Sequence, residues 1–394
     1  MLTNYQDVTG YIHDYWGKVA FAPGKKPLNA GLRNKVMQIG YVPLPNAALA
    51  PNGLYFAGTQ FYWDTYFTLL GLVSDGYSAV ARGMVDNLCY LYDKFGLVPA
   101  RNSTTSRGRT QPPYLTRMAW EVYEHEGADD AWLATVMQVA QKEYETVWCG
   151  KRRYLPELGL SCYNPQHGSR FLSVYESGWD RSTRFAFDPQ TLVPVDLNAQ
   201  LYVYEEDILN WVTLVEPVRR QLWQERLDKR RSLITQYFWD EQTGFFYDYD
   251  FKAGQRRPFK TLAGFYPLWA GAATPEQAKR CVAQLPYFEQ GSGLASTEAV
   301  DWHGKQWDYP NGWAPLQYIV ISGLRRYGYN QEAVRLTAKW LGLNQEIFTQ
   351  TGALWEKYDV VKGGVGLSGR YPTQAGFSWT CGVFMRLLSD LEEL

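Results

Sequence analysis

No apolar run in this sequence approaches the roughly 20 residues that span a bilayer, and neither sign of charge is in excess. The formal net charge is −1, too small to draw in a nucleic-acid backbone or an anionic membrane surface. Neither is expected as a partner. Histidine is scarce, at 4 residues, and the 5 cysteines (Cys89, Cys149, Cys162, Cys281, Cys381) are odd in number with no CxxC spacing. This pattern predicts reduced structural thiols and no metal site. A Pro/Gly/Ser-rich linker is also missing, although 394 residues exceed the roughly 250–300 at which single cores stop growing. One closed domain over 1–394 is therefore expected. Residues Met1 to Asp7 show no basic start leading into an apolar stretch, so the expectation is a soluble, cytoplasmic protein, acting as a monomer.

Aromatic rings are what the chain has in excess. Trp 16, Tyr 29 and Phe 18 make up 16% of it. Tyr and Trp carry polar tips that need partners when buried, and a surplus of them suits a cleft in which sugar C–H faces stack on rings while hydroxyls meet polar tips.

Helix-like apolar stripes alternate with turns rich in Gly, Pro, Asn or Asp. They fall at 64–73, 78–95, 111–125, 130–148, 197–215, 219–239, 262–271, 275–284, 314–328, 331–349 and 376–391. Thr274-Pro275-Glu276 offers a cap hydroxyl, a preset φ and a first-turn acid. The alternating stretch 244–250 before Lys252-Ala253-Gly254 reads as a small hairpin. Periodicity by itself supports a mostly α protein, compatible with an array of antiparallel helix pairs.

Four segments can carry chemistry. In Glu176-Ser177-Gly178-Trp179-Asp180-Arg181, Gly178 lets backbone approach a ligand and Trp179 can shield Asp180, raising its pKa as a general acid requires. Taken alone, Asp180 reads more readily as a loop carboxylate paired with Arg181 or Arg184. In Trp355-Glu356-Lys357-Tyr358-Asp359, Glu356 precedes a glycine-rich stretch ending at Gly369-Arg370. It has the setting of a base behind a lid, or of a surface glutamate paired with Lys357. Asp64, in Phe61-Tyr62-Trp63-Asp64, either caps the following helix or grips sugar hydroxyls beside Trp63. Gln306-Trp307-Asp308-Tyr309-Pro310-Asn311-Gly312-Trp313 brackets a turn with two indoles and reads as a stacking wall.

Together with Arg109-Thr110-Gln111-Pro112-Pro113 and Pro194-Val195-Asp196-Leu197-Asn198, these segments occur in the order found in the α,α-trehalases of glycoside hydrolase family 37. The chain resembles that family from about residue 50 to its C-terminus. The resemblance implies an all-α, (α/α)6 barrel of six inner and six outer helices, no metal or organic cofactor, and hydrolysis of trehalose with inversion. Carried over residue by residue, Asp180 is the acid and Glu356 the base. Phe61, Trp63, Asp64, Trp307 and the Gly178 backbone line the glycosyl subsite, with Gln306 from the same segment as Trp307, and Arg109 with Gln111 reach toward the leaving sugar.

The departures lie on the leaving-group side. Gly53-Leu54-Tyr55-Phe56-Ala57 replaces the family's Pro-Gly-Gly-Arg-Phe, so a positive contact is expected to be missing. No Arg-Pro-Glu stretch appears around 162–170, and Arg370 stands where a glutamate usually follows the lid. A cation there favours different leaving groups, which opens an alternative: hydrolysis of an α-glycoside with an anionic aglycone, such as glucosylglycerate or mannosylglycerate. A sugar-binding protein without catalysis would have discarded one carboxylate. An epimerase would place histidines in these segments, yet His13, His125, His167 and His303 all lie outside them, His303 next to Trp302 being the one candidate for a supporting role.

Overall fold

The structure, a computed structural model, describes residues 5–24, 39–127, 129–166, 170–186, 189–299, 305–369 and 371–392. Arg370, His167 and His303 lie outside the described residues.

Thirteen α-helices occur among the described residues: α1 Gln6–Val19, α2 Tyr62–Ser74, α3 Ser78–Phe95, α4 Leu115–Glu126, α5 Asp130–Glu143, α6 Arg170–Glu176, α7 Val195–Val215, α8 Arg220–Phe238, α9 Tyr266–Ala270, α10 Pro275–Val282, α11 Ala314–Arg326, α12 Asn330–Thr351 and α13 Ser378–Glu392. Helix α2 packs on α4, α4 on α7, α7 on α9, α9 on α11, α11 on α13, and α13 returns to α2. That closes a ring of six. Helices α3, α5, α8, α10 and α12 lie between these in the chain and, with α1 ahead of the first, form the outer layer, so the molecule is the expected (α/α)6 barrel.

The two layers differ in which residues they bury. Outer α8 hides Trp223, Leu227, Arg230, Ile234 and Phe238, a single stripe at spacings of three and four with polar residues elsewhere. Inner α7 is buried nearly all round, including Asp196, Asn198, Gln200, Glu205 and Asp207. Its polar groups must therefore be paired: the Arg117 Nε donates to Asp207 at 3.0 Å, the Arg230 Nε to Glu205 at 2.7 Å, and the Gln200 amide to the Tyr114 hydroxyl at 2.8 Å.

Several boundaries move from the sequence expectation for local reasons. The helix expected from 111 begins at Leu115, because Pro112 and Pro113 push the residues before them into extended backbone. The stretch 130–148 opens into a π turn at Tyr144–Trp148. The expected single hairpin at 244–254 is two: Trp239–Asp240 pairs with Phe245–Phe246, and Tyr249–Asp250 pairs with Gln255–Arg256. Helix α1 has no counterpart among the expected helices, although Val8, Ile12, Tyr15, Trp16 and Val19 supply its stripe. Thr274 does cap α10, in a full capping box with Gln277.

The ring closes where α2 meets α13, at a contact between glycines. A Cβ on Gly71 would sit 2.5 Å from the Gly382 Cα, and one on Gly382 would sit 2.1 Å from the Phe67 carbonyl oxygen. Gly382→Ala is expected to cost about 1–3 kcal/mol by overpacking, read as a lower urea midpoint. An unchanged midpoint would mean that the two helices can slide apart without loss.

Candidate active site

The loops that enter the N-termini of α2, α4, α7, α11 and α13 meet at one end of the ring and enclose a cavity of about 440 Å³. Because inner helices begin here, their backbone N–H groups and positive dipole ends face this mouth, a setting that favours carboxylates. All the candidates within the described residues line it: Phe61, Trp63, Asp64, Arg109, Gln111, Gly178, Asp180, Gln306, Trp307 and Glu356.

A stack of indoles forms the wall. Trp307 lies parallel on Trp313 at 3.9 Å, Trp179 stacks on Trp307 at 5.5 Å, and Trp63 packs between Trp307 (5.5 Å) and Trp379 (5.8 Å). Gly178 has φ +79°, and a Cβ there would lie 2.7 Å from the Trp63 indole. Only glycine lets this loop pass so close to the wall in a left-handed conformation.

Glu356 sits deep in the site. It is 1% exposed and Lys357 0%, so the surface-pair reading is corrected: the ion pair exists, but it is buried. The Lys357 Nζ donates to Glu356 Oε2 at 3.0 Å, and the Tyr371 hydroxyl donates to Oε1 at 2.6 Å. The Trp379 indole N–H holds the Glu356 carbonyl at 3.1 Å. The Lys357 ammonium also lies 5.0 Å over the Trp313 ring. Both carboxylate oxygens thus have fixed donors, which orients the group.

Asp180 is half-buried, and its loop is held by neighbouring residues. Trp179 is fully buried between Trp307 and the Arg184 guanidinium, 4.8 Å away, so its indole anchors the loop. Arg184 is committed elsewhere, donating to Asp196 at 2.6 and 2.7 Å and to Asp248 at 2.7 and 2.8 Å. This removes the reading in which it pairs with Asp180. Arg181 adopts φ +63°, a strained conformation for a non-glycine, and Asp308 pins the residues after it by accepting from the Ser182 hydroxyl at 2.8 Å and the Thr183 N–H at 2.9 Å.

Asp64 is the third carboxyl in the cavity, in the first turn of α2. Burial, then the charges of Glu356 and Asp180, push its pKa up from 3.8 to about 8. Between those two values the folded protein holds a proton that the unfolded chain has released, so stability falls as pH rises through this window. Asp64→Asn is expected to remove the effect. Its Tm should exceed that of the parent by roughly 2 °C or more at pH 9, the gap closing toward pH 4, even as activity is lost. Thermal unfolding curves that differ by a constant amount across this range would refute it.

Two amides complete the wall. The Gln111 Oε1 accepts from the Trp63 N–H at 3.4 Å. Gln306 lines the cavity, and its Oε1 is buried with no hydrogen-bond partner among the described residues. A second cation from a different segment lines the same cavity: Arg101 joins Arg109 on its wall. Burial, with Arg109 beside it, brings the Arg101 pKa down to about 10. The stretch 53–57 instead contributes rings, with Tyr55 stacked on Tyr371 at 5.3 Å. Sequence reasoning missed Arg101, Tyr371 and Trp379; Tyr371 follows the glycine-rich stretch directly, while nothing near Arg101 marks it.

A family model described as Trehalase matches residues 5–169 and 166–392. This chain belongs to the trehalase family. It is 34% identical over 372 residues to the cytosolic neutral trehalase of Kluyveromyces lactis, covering 76% of this chain and 49% of that protein. It is 32% identical to the periplasmic trehalase of Salmonella paratyphi B, covering 88% and 68%. The chain thus spans about half the length of the yeast relative and two thirds of the bacterial one. Among solved structures, the neutral trehalase of Saccharomyces cerevisiae superposes with a TM-score of 0.78 at 31% identity, over 89% of this chain and 74% of that one. The GH63 mannosylglycerate hydrolase of Thermus thermophilus shares the fold, with a TM-score of 0.64 at 20% identity over 90% and 99%. No helix among the described residues of this trehalase-family chain is long and apolar enough to cross a membrane.

Proposed function

We propose that this chain hydrolyses α,α-trehalose to two glucose molecules by a single displacement with inversion, Asp180 acting as general acid and Glu356 as general base. The observation that carries the reading is that these two residues, far apart in sequence, line one indole-walled cavity. Asp180 protonates the glycosidic oxygen as the C–O bond breaks. Glu356, held by Lys357 and Tyr371, takes a proton from a water that attacks the anomeric carbon from the opposite face. Inversion needs room for that water, roughly 6.5–9.5 Å between the carboxyls. Asp64, Gln306 and the Gly178 backbone hold hydroxyls of the glycosyl unit, Phe61 and the Trp63 and Trp307 indoles take its C–H faces, and Arg109 with Gln111 faces the leaving sugar. The family's sequence pattern alone would assign Arg370 to the leaving group.

The whole chain, 1–394, is read as one catalytic domain working as a monomer without metal or cofactor, since the chemistry needs only two carboxylates and water. A cytoplasmic location is supported by its five unpaired cysteines, which suit a reducing compartment.

Arg101 and Arg109 on one wall support a second reading, in which the leaving group carries a carboxylate, as in glucosylglycerate or mannosylglycerate. Incubation with trehalose, kojibiose, sucrose and glucosylglycerate, followed by NMR of the released anomers, tests both. Trehalose should release β-glucose from the cleaved unit and α-glucose from the leaving one. Turnover of the glycerate alone would replace the first reading with the second, and α-glucose as the sole initial product would exclude inversion.

A further inference from the structure

Glu176 is the last residue of α6 and stands just ahead of the loop that presents Asp180. Its side chain is fully buried and is not among those lining the catalytic cavity. A buried carboxylate needs donors for both its oxygens, and here both have them. Oε1 accepts from the Thr110 N–H at 3.0 Å and from the Arg153 Nη2, while Oε2 accepts from the Asn164 N–H at 2.9 Å and from the Arg153 Nε at 3.2 Å. Arg153 and Asn164 flank the hairpin in which Tyr154–Leu155 pairs with Leu160–Ser161. One side chain thus ties the end of α6 to that hairpin and to the arm that contains Thr110.

Arg109 and Gln111, on either side of Thr110, line the cavity, whereas Thr110 itself is fully buried. The N–H that Glu176 holds therefore belongs to the backbone between the two side chains that face the leaving sugar. Tyr175, next to Glu176, lines the cavity as well, and the Arg109 guanidinium lies 5.7 Å from its ring. The Asp180 loop has supports of its own in Trp307, stacked on Trp179, and in Asp308, and the glycosyl wall is held by the packing of Trp63, Trp307 and Trp379. What Glu176 adds is the register between the arm bearing Arg109 and Gln111 and the helix end that leads into the acid.

We propose that Glu176 is a positioning residue for the leaving sugar: by holding the Thr110 N–H it fixes Arg109 and Gln111 relative to Asp180, so that the glycosidic oxygen meets the acid. The inference rests on the reading of this site as a trehalose hydrolase with its leaving-group side at Arg109 and Gln111. A misplacement of about 1 Å in such a group can cost about 10²-fold in rate. Glutamine at this position would turn one acceptor into a donor that faces the Arg153 guanidinium and a backbone N–H, so it cannot hold both Thr110 and Asn164.

Steady-state hydrolysis of trehalose and of α-glucosyl fluoride by the full chain, parent and Glu176→Gln, tests the proposal, because the fluoride has no leaving sugar to place. Expected is a fall in kcat/KM on trehalose of about 10–10²-fold, with KM raised, and a rate on the fluoride within about three-fold of the parent. Partial unfolding would lower kcat on both substrates alike and leave both KM values unchanged, so stability loss does not produce this split. Should Glu176→Gln fail to fold, Glu176→Asp keeps the charge opposite Arg153 but is one methylene too short to hold both N–H groups, and it should show the same split. An equal loss on the two substrates, or unchanged turnover of trehalose, overturns the positioning role. A parent that cleaves the fluoride but not trehalose would count against the trehalose reading alone, and the split for Glu176 is then read between the fluoride and the glycoside that the parent does cleave.

Discussion

Asp180→Asn and Glu356→Gln are each expected to lower kcat on trehalose by about 10²–10⁴-fold, the range a positioned acid or base contributes, with the fold retained. Both replacements keep the shape of the side chain and remove only its proton chemistry. A fluoride leaving group separates the two roles, because it departs without needing a proton. On α-glucosyl fluoride, Asp180→Asn should recover most of the parent rate while Glu356→Gln stays impaired, since the water must still be activated. Equal recovery in both variants, or none in either, would remove the acid and base assignment. Replacing Lys357 or Tyr371 is a poorer test of the base, as each also supports the wall, Lys357 against Trp313 and Tyr371 against Tyr55.

Arg184→Met should destabilise the protein by about 3–5 kcal/mol, the usual cost of stranding buried carboxylates. Asp196 and Asp248 are 1% and 7% exposed, and the four hydrogen bonds from Arg184 satisfy them. The guanidinium also supports the Trp179 indole, so kcat should fall even at temperatures where the variant is folded, because the Asp180 loop loses its floor. Urea denaturation with circular dichroism measures the first effect and steady-state kinetics the second. Adding Asp196→Asn and Asp248→Asn should restore much of the stability, since the cost lies in unpaired charge and not in lost volume. A drop below about 1 kcal/mol for the single variant would show that solvent reaches the two aspartates.

Much of this molecule was legible in the chain because its signals are local. Outer helices such as α8 carry one apolar stripe that any stretch of 19 residues reveals, and Thr274-Pro275-Glu276 marks the start of α10 within three residues. The aromatic segments around Trp63, Asp180, Trp307 and Glu356 are recognisable for the same reason: each is a short run whose neighbours in sequence are neighbours in space. Inner helices are less distinct. Helix α7 is buried on nearly every side, so no single stripe sets its limits, and the polar residues within it look out of place until their partners are seen.

Those partners come from elsewhere in the ring. Nothing near Arg184 in sequence foretells that Asp248 will share it with Asp196, and nothing near Arg101 places that guanidinium beside Arg109 on the cavity wall. Lys357 beside Glu356 reads as a surface pair in sequence, and burial turns it into a fixed support for the carboxylate. The sequence by itself determined the helical class, the membership of a glycosidase-like family and the residues fit for acid and base work, all properties of neighbouring residues. Only the tertiary structure decided which loops share a cavity, which charges neutralise each other and where two glycines allow the first and last inner helices to touch. Those depend on closing the ring, which brings together residues hundreds of positions apart whose pairing leaves no trace in any local stretch.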